Sequence, residues 1–335
     1  MSRRRRDPEV DRYARQAILP EVGAAGQGRL AAARVLVVGA GGLAAPVIAY
    51  LAGAGVGHLA IIDPDRVEIT NLHRQVLFTE GMLGAPKAGA AAGYARALNA
   101  DIAVEPVIGR LDPANALALV GAADLVIDCA DSFAAAYTAS DACLAAGVPL
   151  ISASVLGREG YAGGFCGRGA AAAPSLRAVF PDLPARAATC ATAGVMGPVV
   201  GMIGAMQAQM ALGVLLDHRP SPLGQMVTVD AATWRIGRFR FDGAAEPAHP
   251  WRFLAPDQIP AGALVVELRG EDEAPAPLLP HARRLTVDAV SAAALAPAPG
   301  QTVVMVCRSG LRSWAAARRL AADWDGPVAL VAAGS

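Results

Sequence analysis

The feature that most constrains the fold is a short apolar run that ends directly in a cluster of glycines. Residues 34–38 form a β-branched segment of strand type, and Gly39, Gly41 and Gly42 follow it before an alanine-rich helical segment begins. A strand, a glycine turn and a helix in this order direct backbone N–H groups and a helix N-terminus toward one point, which favours a bound phosphate. The sequence therefore predicts a nucleotide site at the carboxyl end of a strand.

Strand-type runs alternate with alanine-rich helical segments from residue 33 to about residue 155, which is typical of a parallel sheet flanked by helices. The strands predicted in this part are 34–38, 58–62, 102–108, 125–128 and 149–153. A hairpin near 161–165 and two later strands, 225–230 and 234–241, predict an antiparallel extension. We expect an α/β fold with a Rossmann-like, mostly parallel sheet and an antiparallel extension.

The length of 335 residues allows two domains, because one domain usually has about 100–200 residues. Residues 242–250 are polar, contain proline and have no periodicity, so they predict a linker between a first domain, 11–241, and a small α/β domain, 251–335. In the small domain we predict strands at 264–268 and 302–306 and a helix at 313–322. The arginine-rich residues 1–10 are predicted to be a disordered basic terminus.

Charge and cysteine usage exclude several classes of protein. The chain has 29 basic and 29 acidic residues, so no overall field attracts nucleic acid. Its five cysteines are never spaced C-x-x-C, which indicates no disulfide framework and fits a cytoplasmic protein.

The segment 191–216 is long and apolar enough to raise the question of a membrane span, but Gln207 and Gln209 interrupt it. We therefore expect a buried core or dimer-interface helix there and no membrane span.

A carboxylate and three cations extend the nucleotide site. Asp63 ends the strand that follows the glycine turn, where an acid can hold ribose hydroxyls. The glycines and Asp63 predict an adenine nucleotide but leave NAD and ATP open. Arg15, Arg74 and Lys87 lie in compact polar motifs, and Asp131 follows a predicted strand. A reaction that expels pyrophosphate uses such cations and a carboxylate that binds Mg²⁺, so these residues favour ATP.

The ordered set of motifs resembles the HesA/MoeB/ThiF family, the bacterial relatives of ubiquitin-activating enzymes. The resemblance covers residues from about 10 to 241. The segments that carry it are 12–16, 39–43, 63–65, 71–75, 84–87, 128–132 and 190–195.

The resemblance implies that the chain adenylates the C-terminal glycine carboxylate of a ubiquitin-like sulfur-carrier protein, using ATP and Mg²⁺. It implies that Asp63 binds the ribose and that Asp131 binds magnesium. It also implies that Arg15 reaches the active site of a partner subunit, so that the enzyme is a homodimer. The remaining residues that the resemblance assigns to the phosphates and the lining of the site are Asn71, Arg74, Gln75 and Lys87.

The sequence lacks the cysteines of the family's zinc clip, and it allows two interpretations of Cys190. The family usually has a zinc clip of two C-x-x-C pairs, but the first pair falls on 175–178, which reads Ser-Leu-Arg-Ala, and no second pair precedes the linker. Zinc needs thiolate or imidazole ligands, so we predict no zinc. Cys190 lies just before the apolar helix, where some family members use a thiol to capture the activated carrier. A small buried thiol is the alternative there.

A second candidate site lies near the C-terminus, where a cysteine follows a predicted strand and precedes a predicted helix. Backbone N–H groups, two arginines and the helix dipole favour a thiolate and a persulfide in such a loop. The loop resembles the active loop of rhodaneses, and the resemblance extends from about residue 251 to residue 335. It implies sulfur transfer from a donor such as a cysteine desulfurase. The residues of the loop are Cys307, Arg308, Ser309, Gly310, Leu311 and Arg312.

Together the two sites predict adenylation of the carrier followed by its sulfuration to a thiocarboxylate, with a persulfide on Cys307 acting directly or through Cys190. Molybdopterin biosynthesis, thiamine biosynthesis and other sulfur routes use the same chemistry, and all of them stay open. Two other functions remain as alternatives. An NAD-dependent oxidoreductase is supported by the glycine turn and Asp63 alone, whereas the missing zinc ligands and Ala44 at the third glycine position suggest a non-catalytic scaffold.

Overall fold

The computed structural model describes residues 12–169, 172–183 and 194–334. Within these residues, eight strands form one sheet and five strands form a second. The predicted basic terminus, 1–10, and Cys190 lie outside the described residues.

The larger sheet is parallel through its first five strands in sequence and antiparallel beyond them. Its spatial order is β3-β2-β1-β4-β5-β6-β7-β8. The predicted fold class is therefore confirmed. Since the chain leaves β1 first toward β2 and later toward β4, the carboxyl end of β1 is the switch point where open α/β sheets bind ligands. The strands are β1 Arg34–Val38, β2 His58–Asp63, β3 Ala103–Ile108, β4 Leu125–Asp128, β5 Pro149–Leu156, β6 Glu159–Cys166, β7 Gln225–Asp230 and β8 Arg235–Arg240.

Helices cover both faces of this sheet. The side chains of β1 alternate between two cores: Val35 and Val37 pack in one, and Leu36 and Val38 in the other. All four are buried, which explains why a central parallel strand appears in the sequence as an unbroken apolar run. The helices are α1 Ala14–Ala17, α2 Gly23–Ala32, α3 Ala44–Ala54, α4 Lys87–Leu98, α5 Ala116–Gly121, α6 Phe133–Ala146, α7 Leu176–Val179 and α8 Gly197–Leu215.

The long apolar segment forms α8, which begins at Gly197 and not at residue 191 as predicted. Pro198 lies in its first turn, where a missing backbone N–H leaves no helical hydrogen bond unmade. α8 is long and apolar enough to cross a membrane, and core helices of soluble proteins meet the same criteria of length and composition. Half of it is buried inside the protein, including Ile203, Gln207 and Ala211. The expectation of a buried helix agrees with this packing.

The smaller sheet has the order β11-β10-β12-β13-β9, and all its pairings are parallel. The predicted strands and helix are present with shifts of one or two residues at their ends. Residues 242–251, which connect the two sheets, form neither helix nor strand. The elements are β9 Arg252–Phe253, β10 Leu264–Glu267, β11 Arg283–Arg284, β12 Val303–Cys307, β13 Val328–Ala332, α9 Ala292–Leu295 and α10 Leu311–Leu320.

Candidate functional site

Three strand ends meet at the switch point of the larger sheet. Val38 of β1 pairs with Ile62 of β2 on one side and with Asp128 of β4 on the other. The next residues along the chain, among them Gly39 and Asp63, therefore lie side by side at the carboxyl edge of the sheet. This register brings together the glycine turn, the predicted ribose carboxylate and the segment that leads to Asp131.

Gly39 and Asp63 fix the shape of the turn. Gly39 has φ +91, and a Cβ on it would lie 2.9 Å from the carbonyl oxygen of Cys129, so a side chain is excluded. The N–H of Ala40 donates to Asp63 Oδ2 at 2.7 Å, and the N–H of Asp65 donates to Oδ1 at 2.8 Å. Burial raises the pKa of Asp63, although these bonds and the charge of Lys87 oppose the rise. Each carboxylate oxygen keeps a lone pair for a ribose hydroxyl.

Two of the three predicted cations lie at this turn. Lys87 is the first residue of α4, is buried, and places Nζ 2.9 Å from Asp65 Oδ2. Arg74 packs against Gly42, where a Cβ would lie 3.4 Å from Arg74 Cγ, and its guanidinium donates to the carbonyl of Thr70 at 3.1 Å. Positive charge therefore gathers beside the helix N-terminus, where phosphates bind.

The third cation, Arg15, is not brought to this turn in the same chain. It lies on α1, whose Gln16 donates to the carbonyl of Ala54 at the C-terminal end of α3. The glycine turn precedes the other end of this 11-residue helix, which at 1.5 Å per residue is about 16 Å away. A role for Arg15 in nucleotide chemistry therefore requires a second subunit and stays a prediction.

Asn71 and Gln75 provide a test of whether a nucleotide fits here. Both side chains are buried, and neither Asn71 Oδ1 nor Gln75 Oε1 has a hydrogen-bond partner among the described residues. Gln75 faces the turn, with Nε2 3.7 Å from the position that a Cβ on Gly41 would take. Unpaired buried acceptors cost about 1–3 kcal/mol each, so a ligand that carries hydroxyl or amino donors is favoured. The ribose and adenine of ATP carry such donors.

Asp131 lies in the loop between β4 and α6 and is exposed. Mg²⁺ is usually held by one or two carboxylates together with substrate phosphates and water, so one exposed carboxylate beside the phosphate turn fits this ion. No cluster of three or more His, Cys, Asp or Glu side chains that could hold a metal occurs in residues 12–169, 172–183 and 194–334. The absence of zinc stays a prediction.

Asp128 is a residue of this site whose properties the sequence did not reveal. Its carboxylate is fully buried and accepts hydrogen bonds from Ser152 Oγ at 2.8 Å and from the N–H of Ala130 at 3.1 Å. Gln207 of α8 donates to the backbone carbonyl of Asp128 at 2.8 Å. Burial, with a smaller contribution from the charge of Asp131, raises the pKa of Asp128 to about 6. The one hint in the sequence was Gln207, a polar residue within an apolar helical segment.

This raised pKa predicts a stability that depends on pH. The contribution of Asp128 to stability is complete below its unfolded pKa of about 4 and is lost as the pH rises through about 6. In Asp128→Asn the amide oxygen can accept the N–H of Ala130 while the amide NH2 donates to Ser152 Oγ, and the titrating charge is gone. Its gain in unfolding free energy is therefore near zero at pH 4 and reaches up to about 3 kcal/mol at pH 8. Urea unfolding at both pH values measures it, and an equal gain at both would contradict the burial argument.

The second candidate site surrounds Cys307 at the end of β12. Cys307 Sγ is buried and accepts the N–H groups of Gly310 at 3.1 Å and Ser313 at 3.3 Å. Arg312 donates to the carbonyl of Leu268 and to Glu273, at 3.1 and 2.5 Å. The geometry can therefore hold a sulfur anion between backbone N–H groups at a helix N-terminus.

The two arginines of the loop have different environments. Arg308 is exposed, and Arg312 is partly buried and paired with Glu273. The sequence did not assign a contact to Arg269, which binds the buried Glu267 through two hydrogen bonds of 2.8 and 2.7 Å. The predicted participation of Cys190 concerns a residue outside the described ranges.

Comparison with known proteins places most of the chain in one family. Residues 13–250 match the ThiF family, and the Cys307 loop lies beyond this match. The SAMP-activating enzyme E1 of Haloferax volcanii is 43% identical over 225 residues, which cover 67% of this chain and 82% of that protein. The sulfur carrier protein adenylyltransferase of Thermus thermophilus is 42% identical over 67% of this chain and 84% of its own length.

A longer relative is matched over only part of its length. The adenylyltransferase and sulfurtransferase MOCS3 of Bos taurus is 46% identical over 67% of this chain, but the match covers 49% of that protein. The chain thus spans about half of that curated relative.

The fold also resembles solved structures. Escherichia coli MccB in complex with ATP is 22% identical, with a TM-score of 0.59 over 70% of this chain and 72% of that chain. At this identity the likeness establishes the fold alone. Because the match to residues 13–250 spans well over half of the sequence and contains the whole glycine-turn site, the chain belongs to the ThiF family.

Proposed function

We propose that the chain is an adenylyltransferase that uses ATP to activate the C-terminal glycine carboxylate of a ubiquitin-like sulfur-carrier protein. The observation that carries this proposal is the gathering of Asp63, Arg74 and Lys87 around the glycine turn of a ThiF family chain. The names of relatives that are 42–46% identical support the same activity. NAD chemistry would have no use for two cations at the phosphates, so that alternative is not favoured.

The first step needs positioning and charge stabilisation. The carrier carboxylate is already ionised near neutral pH, so no general base is required. Its oxygen attacks the α-phosphorus of ATP, an acyl–phosphate bond forms, and pyrophosphate leaves with the electrons of the broken P–O bond. Arg74 and Lys87 stabilise the charge on the departing phosphates. Asp131 would hold Mg²⁺, which supplies further charge neutralisation when it is bound.

The second step transfers sulfur from Cys307. The terminal sulfur of a Cys307 persulfide attacks the carbonyl carbon of the acyl-adenylate, a C–S bond forms, and AMP leaves with the electrons of the C–O bond. A second thiolate, for which Cys190 is the candidate in this chain, then attacks the Cys307 sulfur of the acyl disulfide. This attack releases the carrier thiocarboxylate and leaves a disulfide, which a dithiol reductant reopens.

The proposal includes a cellular setting and partners. A cysteine desulfurase is the proposed source of persulfide sulfur, and a homodimer in the cytoplasm is the proposed form of the enzyme. The term sulfurtransferase in the name of the MOCS3 relative supports the sulfur step, although that name describes a protein of about twice the matched length. Either molybdopterin or thiamine biosynthesis would use the product.

The test is carrier-dependent exchange of labelled pyrophosphate into ATP, measured separately with a molybdopterin-type and a thiamine-type sulfur carrier. We expect exchange with one carrier and none without a carrier, which assigns both the reaction and the pathway. If ATP binds but neither carrier supports exchange, the proposed substrates are wrong. If ATP does not bind, the adenylyltransferase proposal fails and the non-catalytic scaffold is favoured.

A further inference from the structure

The Cys307 loop packs against the nucleotide-binding part of the same chain, beside the start of α6. Gly310, with φ +90, lies so close that a Cβ on it would be 3.4 Å from Ala134 Cβ and 2.7 Å from the ring of Phe253. Ala134 is the second residue of α6 and follows Asp131 by three positions. The sulfur loop and the magnesium carboxylate therefore lie at the same edge of the molecule.

A second contact fixes the other side of this loop. The N–H of Gly334 donates to the carbonyl of Arg308 at 3.0 Å, and Gly334 lies against the guanidinium of Arg110. Arg110 follows β3, just as Asp131 follows β4. The loop is thus held between two segments that leave the carboxyl edge of the larger sheet, which is the edge that carries the glycine turn.

Arg177 of α7 contacts both α6, which follows the Asp131 loop, and α10, which follows the Cys307 loop. It is 3% exposed, and its Nε and one terminal nitrogen donate to the two carboxylate oxygens of Asp141 on α6, at 2.6 and 3.0 Å. Its guanidinium carbon lies 4.3 Å from the ring centroid of Tyr137 on α6 and 5.8 Å from that of Trp314 on α10. Both rings therefore attract the buried guanidinium through cation–π interactions.

The rings under Arg177 also contact each other across the two parts of the chain. The centroids of Tyr137 and Trp314 are 5.6 Å apart in an edge-to-face arrangement, and those of Trp251 and Trp314 are 5.1 Å apart. Trp314 follows Gly310 by four residues, so the helix turn that Arg177 contacts is the one that presents the Cys307 loop.

Helix α7 is in turn tied to the connecting segment. Glu246 accepts the N–H of Ser175 at 2.7 Å and its hydroxyl at 2.6 Å, and Ser175 caps α7 by accepting the N–H of Ala178. Leu176 N–H donates to Ser140 Oγ on α6 at 3.1 Å. A polar network therefore holds α6, α7, the connecting segment and α10 together around Arg177.

We propose that Arg177 positions the Cys307 loop for sulfur transfer to the adenylate bound on the same chain. The proposal rests on the function proposed above, because it concerns the second step of that reaction. Arg177 touches neither sulfur nor nucleotide. It acts through Trp314 and α6, so its loss separates sulfur transfer from adenylation.

The test compares Arg177→Met with Arg177→Lys, which keeps the charge but loses the planar two-point pairing. Since a displacement of about 1 Å can cost about 100-fold, we expect single-turnover thiocarboxylate formation to fall about 10- to 100-fold in Arg177→Met and less in Arg177→Lys. The KM for ATP and the kcat of pyrophosphate exchange should change less than about twofold. The matched control is Arg219→Met, which removes an exposed arginine that pairs with Asp217 at 3.0 Å.

Hydrogen exchange provides a readout that does not depend on the reaction. In Arg177→Met we expect faster exchange in residues 242–250 and in the first turn of α10, with the strands of the larger sheet unchanged. Unchanged sulfur transfer in Arg177→Met would overturn the proposal. If the wild type lacks pyrophosphate exchange, the proposed function fails instead, and hydrogen exchange still decides whether Arg177 holds the loop.

The same-chain part of the proposal has its own experiment. Asp131→Ala and Cys307→Ala chains are co-expressed with different tags, and the mixed assemblies are isolated and assayed for thiocarboxylate formation. Transfer within one chain predicts that mixed assemblies are as inactive as each single variant. Recovery of a large share of wild-type activity would show that sulfur passes between chains and would overturn the same-chain arrangement.

Discussion

Replacing Lys87 by methionine should lower kcat/KM for carrier-dependent pyrophosphate exchange by about 100- to 1000-fold, the cost of removing one preorganised group that stabilises transition-state charge. The Lys87 side chain is buried next to Asp65, and in the proposed reaction its ammonium would stabilise the departing phosphates. Methionine keeps the length of the apolar stem. The partner that it leaves behind, Asp65, has a side chain that is 63% exposed, so the unpaired carboxylate costs little stability.

Arg66 offers a matched control for this substitution. It follows Asp65, the partner of Lys87, directly in the chain, is exposed, and donates to the carbonyl of Gly84 at 2.7 Å. Arg66→Met should leave exchange within about twofold of the wild type, because an exposed charge contributes little in water. If Lys87→Met and Arg66→Met lower the rate equally, the cations at the turn act through the general field of the surface, and the assignment of Lys87 to the phosphates is wrong.

Replacing Cys307 by alanine should lower thiocarboxylate formation by at least about 1000-fold, because the covalent nucleophile that carries the transferred sulfur in the proposed step is removed. The N–H groups of Gly310 and Ser313 point at Sγ, and no other cysteine of the described residues has this loop around it. Mass spectrometry of the carrier measures the product, and the persulfide appears as a mass increase on the peptide that contains Cys307.

Cys143 is the control for this experiment, since it is also fully buried but lies within α6. Burial raises the pKa of its thiol far above the ordinary value, so it stays protonated. Cys143→Ala should keep sulfur transfer. Thiocarboxylate formation that survives in Cys307→Ala would show that another thiol or free sulfide supplies the sulfur, and the second site would then have a structural role.

The segment that aligns with the first C-x-x-C pair is held by side-chain hydrogen bonds. Ser175 stands at the first cysteine position and binds Glu246, and Arg177 lies between the two cysteine positions and binds Asp141. Charge-assisted hydrogen bonds of this kind are shorter and stronger than neutral ones. The sequence identified the missing ligands, but the partners of Ser175 and Arg177 are 71 and 36 residues away and could not be found by local reasoning.

Local patterns were sufficient for the parts of the site that follow strands. The carboxyl ends of neighbouring parallel strands meet at one edge of the sheet. A glycine turn after one strand and an acidic residue after the next are therefore expected to lie close together. Gly39 and Asp63 are examples, and Lys87 was recognised from a compact motif. The family membership and the fold class that these motifs predicted are both confirmed.

Tertiary structure alone decided what depends on burial and on contacts distant in sequence. The pKa of Asp128 is raised chiefly by burial, and its partners Ser152 and Gln207 are 24 and 79 residues away in the sequence. The separation of Arg15 from the turn follows from the length of α3. The contact of Gly310 with Ala134 joins residues 176 positions apart. The sequence therefore determined which chemical groups the chain carries at its strand ends. Packing determined which of these groups are buried, how their charges interact and which residues they contact.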